Sequence, residues 1–92
     1  MTKAEVINAI VAETGISRAE ATASVEAFMA IIKKAMTEGK ESVYLRGFGT
    51  FVIKHRAEKL ARNISKNTSV LIPAHDYPTF KPAKTFVEQM NK

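Results

Sequence analysis

The chain contains no cysteine. That absence excludes a disulfide framework and a thiolate metal site, and it suits a reducing compartment. Histidine is nearly absent too: His55 and His75 are the only two. His75-Asp76 could pair a base with its orienter, but no third ligand or activated nucleophile stands at useful spacing. There is no phosphate-cradling glycine loop and no paired-carboxylate arrangement. The expectation is a protein that is not an enzyme and uses no metal and no cofactor. No apolar run is long enough to span a membrane. The opening MTKAEVINAIVAE carries acids and lacks the apolar core of a signal peptide. A soluble, intracellular, cytoplasmic protein is expected.

Acidic residues are scarce in one half only. Residues 46–92 carry nine cations and three acids, net +6, whereas residues 1–45 carry five cations and six acids, net −1. All the excess charge of this +5 chain lies in the second half, a segregation that points to an anionic partner. At 92 residues the chain is one domain. It divides into a helical body with a first strand (1–45), a sheet with a β-arm (46–81) and a C-terminal helix (82–92).

Thr2-Lys3-Ala4-Glu5 and Ser17-Arg18-Ala19-Glu20 are capping boxes. Each precedes apolar residues at helical spacing, which predicts helices over 3–13 and 18–38, closed by Gly15 and Gly39. Val25, Phe28, Met29, Ile31, Ile32 and Met36 on the second helix are more apolar surface than so small a body can cover, so an oligomer sharing its core is expected. Val43 and Leu45 alternate with polar neighbours as a short strand. Gly47 and Gly49 around Phe48 permit a reversal with positive φ. Phe51 and Ile53 continue as a second strand, running into the cations Lys54, Arg56, Lys59, Arg62 and Lys66. Holding the first four cations on one side requires a bulge or strong twist between Arg56 and Lys59. Asn67 suits a turn. Val70–Ile72 return, Pro73 marks an edge strand, a last strand reaches Phe80, and Pro82 suits the first turn of a final helix with Phe86, Val87 and Met90 on one face.

The outline is a long basic β-ribbon on a small α+β body. A two-stranded ribbon fits a nucleic-acid groove, and its cations can hold phosphates. The bland alternative is an edge strand that uses charge against aggregation. At the tip, Arg62 and Asn63 can contact a minor groove while Ile64 inserts between base pairs; an isolated exposed aliphatic is the alternative. Lys3, Arg46, Lys81 and Lys84 supply a further set of body cations.

At RGFGTF, RAEKLARN and PTFKPAK, and in the helical hairpin TKAEVINAIVAETGISRAEA, the chain resembles the bacterial HU/IHF family of architectural DNA-binding proteins, whose β-ribbon and minor-groove binding is established. The resemblance covers essentially the whole chain. It implies an intertwined dimer with a three-stranded antiparallel sheet, whose two β-arms embrace double-stranded DNA. On the family pattern Lys54, Arg56, Lys59, Arg62 and Asn63 are arm contacts, and Lys3, Arg46, Lys81 and Lys84 are body contacts. Phe48, Phe51 and Phe80 fall on its aromatic core, joining Val25, Phe28, Met29 and Ile32 as candidate dimer-core residues. The family tip usually reads RNPxTG with an intercalating proline; here it reads RNISKN, with Ile64 at the proline position and Asn67 at the glycine. Ala61 and Ala83 also replace family glycines. The implied function is architectural binding of duplex DNA in the nucleoid, with bending and little sequence preference, by a homodimer or an IHF-type heterodimer. A general polyanion, RNA-binding or protein-interaction module is the alternative from another class.

Overall fold

Two hydroxyl residues, each followed three positions later by a glutamate, start the helical half. A computed structural model of the chain describes residues 1–63 and 68–92, with the backbone alone at Asn63. Helix α1 spans Lys3–Thr14 and helix α2 spans Arg18–Thr37. The Thr2 hydroxyl accepts from the Glu5 backbone at 3.2 Å, and the Glu5 carboxylate accepts from the Thr2 backbone at 3.4 Å. Ser17 and Glu20 repeat the arrangement. These contacts satisfy backbone N–H groups that helix geometry leaves orphaned. Gly15, at φ 77, closes α1 in the left-handed conformation and donates to the Val11 carbonyl. Ile7 of α1 and Ala21 of α2 are both buried, and Arg18 at the start of α2 donates to the Asn8 side-chain oxygen of α1.

Helix α2 stops at Thr37 with Glu38 as its cap, so Gly39 follows its end as expected, and the positive φ falls on the next residue, Lys40, at 51°. Gly39 is needed for space, because a Cβ there would lie 2.9 Å from the Ala35 carbonyl oxygen.

Strands β1 (Val43–Leu45), β2 (Gly49–Arg56) and β5 (His75–Pro82) form one antiparallel sheet in the order β1-β2-β5. Strands β3 (Lys59–Asn63) and β4 (Thr68–Ile72) form a separate two-stranded ladder. The long pairing ends at Arg56 opposite His75, and the arm pairing starts at Lys59 opposite Ile72. Ala57 and Glu58 on one side, and Pro73 and Ala74 on the other, belong to no strand. Pro73 has no N–H to give the ladder, which accounts for a break at this point.

The corner at RGFG works through two different glycines. Phe48 donates to the Leu45 carbonyl at 3.0 Å, and Gly47 turns the chain at φ 79. Gly49 does not have positive φ, contrary to the expectation. It is required because an added Cβ would sit 2.5 Å from the Phe80 ring and 2.7 Å from the Lys81 carbonyl oxygen. The close approach at Gly49 lets Phe80 meet Phe48 and Phe51 at ring-centroid distances of 5.1 and 5.0 Å, and Phe86 joins Phe48 at 5.4 Å. Pro82 ends β5, opposite Gly49, instead of entering the last helix. The Ala83 N–H is held by the Phe48 carbonyl at 2.9 Å, so helix α3 spans Lys84–Met90 with Ala83 as its cap.

Among the described residues only Ile7, Ala21 and Met36 are buried hydrophobics. The candidate dimer-core residues Val25, Ile32, Phe51 and Phe80 are half-buried, and Phe28, Met29 and Phe48 are exposed. The apolar face expected on α3 is largely open, with Val87 and Met90 exposed. The chain exposes 7588 Å², whereas a compact monomer of this mass exposes about 5,300 Å². Its radius of gyration is 18.6 Å, against about 12 Å for a compact domain of this length. Projection of the arm and open apolar faces on the body both contribute. If a second copy covers those faces, folding and association are one equilibrium, and the melting temperature should rise with protein concentration. A melting temperature constant over a hundredfold concentration range would show that the single chain reaches its full stability alone.

Candidate nucleic-acid interface

Strand alternation sorts the sheet into two chemically different faces. The pairs Phe51–Phe80, Ile53–Pro78 and His55–Asp76 share one face. Ile32 and Met36 of α2 and Phe51, Ile53 and Pro78 of that face line one open groove of about 370 Å³. The pairs Thr50–Lys81, Val52–Thr79, Lys54–Tyr77 and Arg56–His75 share the opposite, outer face, and Tyr44 joins it by pairing with Thr50. Lys54, Arg56 and Lys81 are exposed there, and the outer rows contain no carboxylate. The one acid of these two strands, Asp76, is on the helix side.

Asp76 is also neutralised where it stands. Its Oδ1 lies 2.9 Å from His55 Nδ1, and its Oδ2 accepts from Lys40 Nζ at 3.3 Å. The His55 contact first, and the Lys40 contact second, hold its carboxyl below the ordinary aspartate value of 3.8. The pair weighed from the sequence, His75 with Asp76, does not form: neighbours on a strand point to opposite faces, and His75 Nδ1 instead lies 3.0 Å from the Pro73 carbonyl oxygen. Among the described residues no group of three potential metal ligands is present.

The arm continues the cation series in a different register. Lys59, Ala61 and Asn63 pair with Ile72, Val70 and Thr68 on one face, while Leu60 and Arg62 pair with Leu71 and Ser69 on the other. Lys59 and Arg62 therefore do not share a face, as a spacing of three on a period-two strand requires. The break before Lys59 is where the sequence called for a bulge or twist. Ile64, Lys66 and the turn at Asn67 lie outside the described residues, as does the side chain of Asn63.

The body cations are placed separately. Arg46 occupies the turn beside β1, Lys81 is on the outer face near the end of β5, and Lys84 opens α3. Lys3 is engaged with Glu26 of α2 at 2.5 Å. That contact with Lys3, reinforced by the charge of Lys33, holds the Glu26 carboxyl below its ordinary value. For Lys3 to reach a phosphate it must leave Glu26.

Reading residues in isolation missed Tyr44, Tyr77 and Thr79. All are on the outer face with Lys54, Arg56 and Lys81. The signal was present, since residues 77, 79 and 81 alternate on one strand. The Arg56 guanidinium carbon sits 4.8 Å from the Tyr77 ring centroid.

The Asp76 contacts carry a pH dependence of definite sign. A carboxylate with a depressed folded value stabilises fully above the unfolded value and loses that contribution as pH falls through the folded one. Asp76→Asn should therefore lower the melting temperature at pH 6, and the difference from the unsubstituted protein should shrink as pH drops below 3.8. An equal difference at pH 6 and pH 2.5 in thermal scans would exclude an ionic role for Asp76.

Residues 1–91 match the family model described as bacterial DNA-binding protein. A DNA-binding protein HU from Xylella fastidiosa is 39% identical over 84 residues, covering 91% of this chain and 88% of the relative. An HU from Thermus thermophilus is 32% identical over 92 residues, covering 100% of this chain and 94% of that one. The fold matches HU in an Anabaena HU–DNA cocrystal structure with a TM-score of 0.89 and 31% identity, over 98% of this chain and 97% of the other. A mutant HU from Thermotoga maritima, at a TM-score of 0.72 and 21% identity over 98% and 99% of the two chains, shares the fold. The chain belongs to the bacterial DNA-binding protein family, a family of DNA-binding proteins and not of enzymes, and the relatives named above are HU.

Proposed function

We propose that this protein is an architectural, nucleoid-associated protein that binds double-stranded DNA with little sequence specificity and bends it through arms in the minor groove. The observation that carries the reading is the outer face of the sheet. It presents Lys54, Arg56 and Lys81 without a carboxylate, and it leads into the arm that bears Lys59 and Arg62. A surface of one sign is what phosphate binding requires, and phosphate contacts carry no sequence information. Arg46, Lys84 and, once released from Glu26, Lys3 extend the contact to the body. Asn63, Ile64 and Lys66 belong to the arm tip, where Ile64 takes the role of the wedge that unstacks a base step.

The working unit is a homodimer in which the three parts of the chain act as one domain. This rests on the exposed Phe28, Met29 and Phe48, whose burial needs a second surface, and on the family. No described helix is long and apolar enough to cross a membrane. A cytoplasmic location at the nucleoid follows from the DNA target.

Competition among duplex DNA, structured RNA and heparin over a range of salt tests the reading. Duplex DNA should compete best, with log K falling against log salt at about −0.9 per phosphate contacted. Arg56→Ala should weaken binding across sequences and flatten that slope by about one unit for each arm. In the same series Ile64→Ala should reduce the bend measured by end-to-end fluorescence transfer. A preference for RNA or heparin over every DNA form would overturn the proposal, and an unchanged bend would remove Ile64 from it.

A further inference from the structure

Arg56 is the last paired residue of β2, and beyond it the ladder breaks at Ala57 and Glu58. A long side chain at such a place has many rotamers open to it, and fixing it on a phosphate costs conformational entropy. The structure shows a partner that reduces this freedom, the side chain of Tyr77. Arg56 stands opposite His75 and Lys54 opposite Tyr77, so Arg56 and Tyr77 are diagonal neighbours on the outer face, a relation within reach of long and aromatic side chains. The guanidinium carbon lies 4.8 Å from the Tyr77 ring centroid, inside the range of a cation–π contact. A guanidinium over a ring can still present edge N–H donors to a phosphate. The phenol of Tyr77 is also held below its ordinary value, by Thr79 first and Arg56 second. Lys54 and Arg56 are two apart on the same face, so their charges repel; the Tyr77 ring offers Arg56 a compensating attraction.

We infer that Tyr77 is a positioning residue for DNA binding: its ring pre-orients the Arg56 guanidinium toward the outer face before a phosphate arrives. The inference rests on the proposed role of Arg56 in gripping duplex DNA and adds a residue that carries no cation of its own. Preorganisation of this kind raises affinity by lowering the ordering cost and makes no new contact with the ligand. It depends on the π face more than on the phenol's own contact with Arg56, so phenylalanine should serve and an aliphatic residue should not. It depends on Arg56, so the effect must vanish when Arg56 is absent.

A double-mutant cycle read by affinity for a duplex DNA fragment at fixed salt decides the matter. Tyr77→Leu should weaken binding roughly two- to fivefold for each of the two subunits, as expected from losing a surface cation–π contact in each. Tyr77→Phe should stay within about twofold of the unsubstituted protein. In an Arg56→Ala background, Tyr77→Leu should add nothing. Thermal scans of every variant establish that each is folded at the assay temperature. The inference is overturned if Tyr77→Leu has no effect, if it weakens binding equally in both backgrounds, or if Tyr77→Phe is as damaging as Tyr77→Leu. If Arg56→Ala leaves DNA affinity unchanged, the proposed Arg56 contact falls, and the positioning role falls with it. A protein that binds duplex DNA and loses affinity with Arg56→Ala, yet shows no coupling to Tyr77, refutes the positioning role alone.

Discussion

The pairing of β2 with β5 is the interaction on which the rest of the molecule depends. One register, Gly49 opposite Pro82 through Arg56 opposite His75, assigns every residue of both strands to a face. Phe51, Ile53, Phe80 and Pro78 turn to the helices, and Lys54, Arg56, Tyr77 and Lys81 turn away. A slip of one residue in either strand would exchange its two sets. Gly49 fixes the start of that register sterically, since only a residue without a Cβ tolerates the Phe80 ring and the Lys81 carbonyl at this distance. The aromatic corner and the proposed DNA-facing surface are thus two products of one ladder.

The same ladder governs the electrostatics. Asp76 has a position on β5 that is one residue from the outer face on either side. Its place on the helix side, between His55 and Lys40, keeps its charge away from Lys54 and Arg56. The unusual backbone at Lys40, a non-glycine residue with φ 51, is at the end that delivers the lysine to Asp76. Thermodynamically, the body is unfinished: three buried hydrophobics among the described residues and an excess of exposed surface leave the helical stripe and α3 without cover. An arm that contributes little to the core makes this shortage worse, and the proposed second copy resolves it.

The sequence made the helices legible because capping boxes and Gly15 are local devices. The motifs of the aromatic corner likewise announced the family, and the charge segregation pointed to the face proposed as the interface. What stayed hidden depended on contacts between distant residues. Gly49 reads as a turn glycine until Phe80 is placed against it, and Pro82 reads as a helix start until the Phe48 carbonyl captures Ala83. The face of each cation could not be assigned across the break at Ala57–Glu58, because alternation cannot be counted through an unpaired segment. Tyr77 was overlooked because an exposed tyrosine has no meaning until the strand register puts Arg56 diagonal to it.

The central claim is that the outer face of the sheet is the main surface that receives DNA, with the body cations only extending the contact. The lack of native cysteine permits a direct measurement, since any introduced thiol is the only one in the protein. Tyr44→Cys places it on the outer face, where the native side chain is 71% exposed, and Glu13→Cys places it at an exposed polar position of α1, off the apolar stripe. Both should react readily with a maleimide in free protein. Saturating duplex DNA should slow the reaction at position 44 by at least about tenfold, as covering of the site by a tightly bound ligand implies, and leave position 13 nearly unchanged. Equal rates at position 44 with and without DNA, or protection at position 13 alone, would contradict the account.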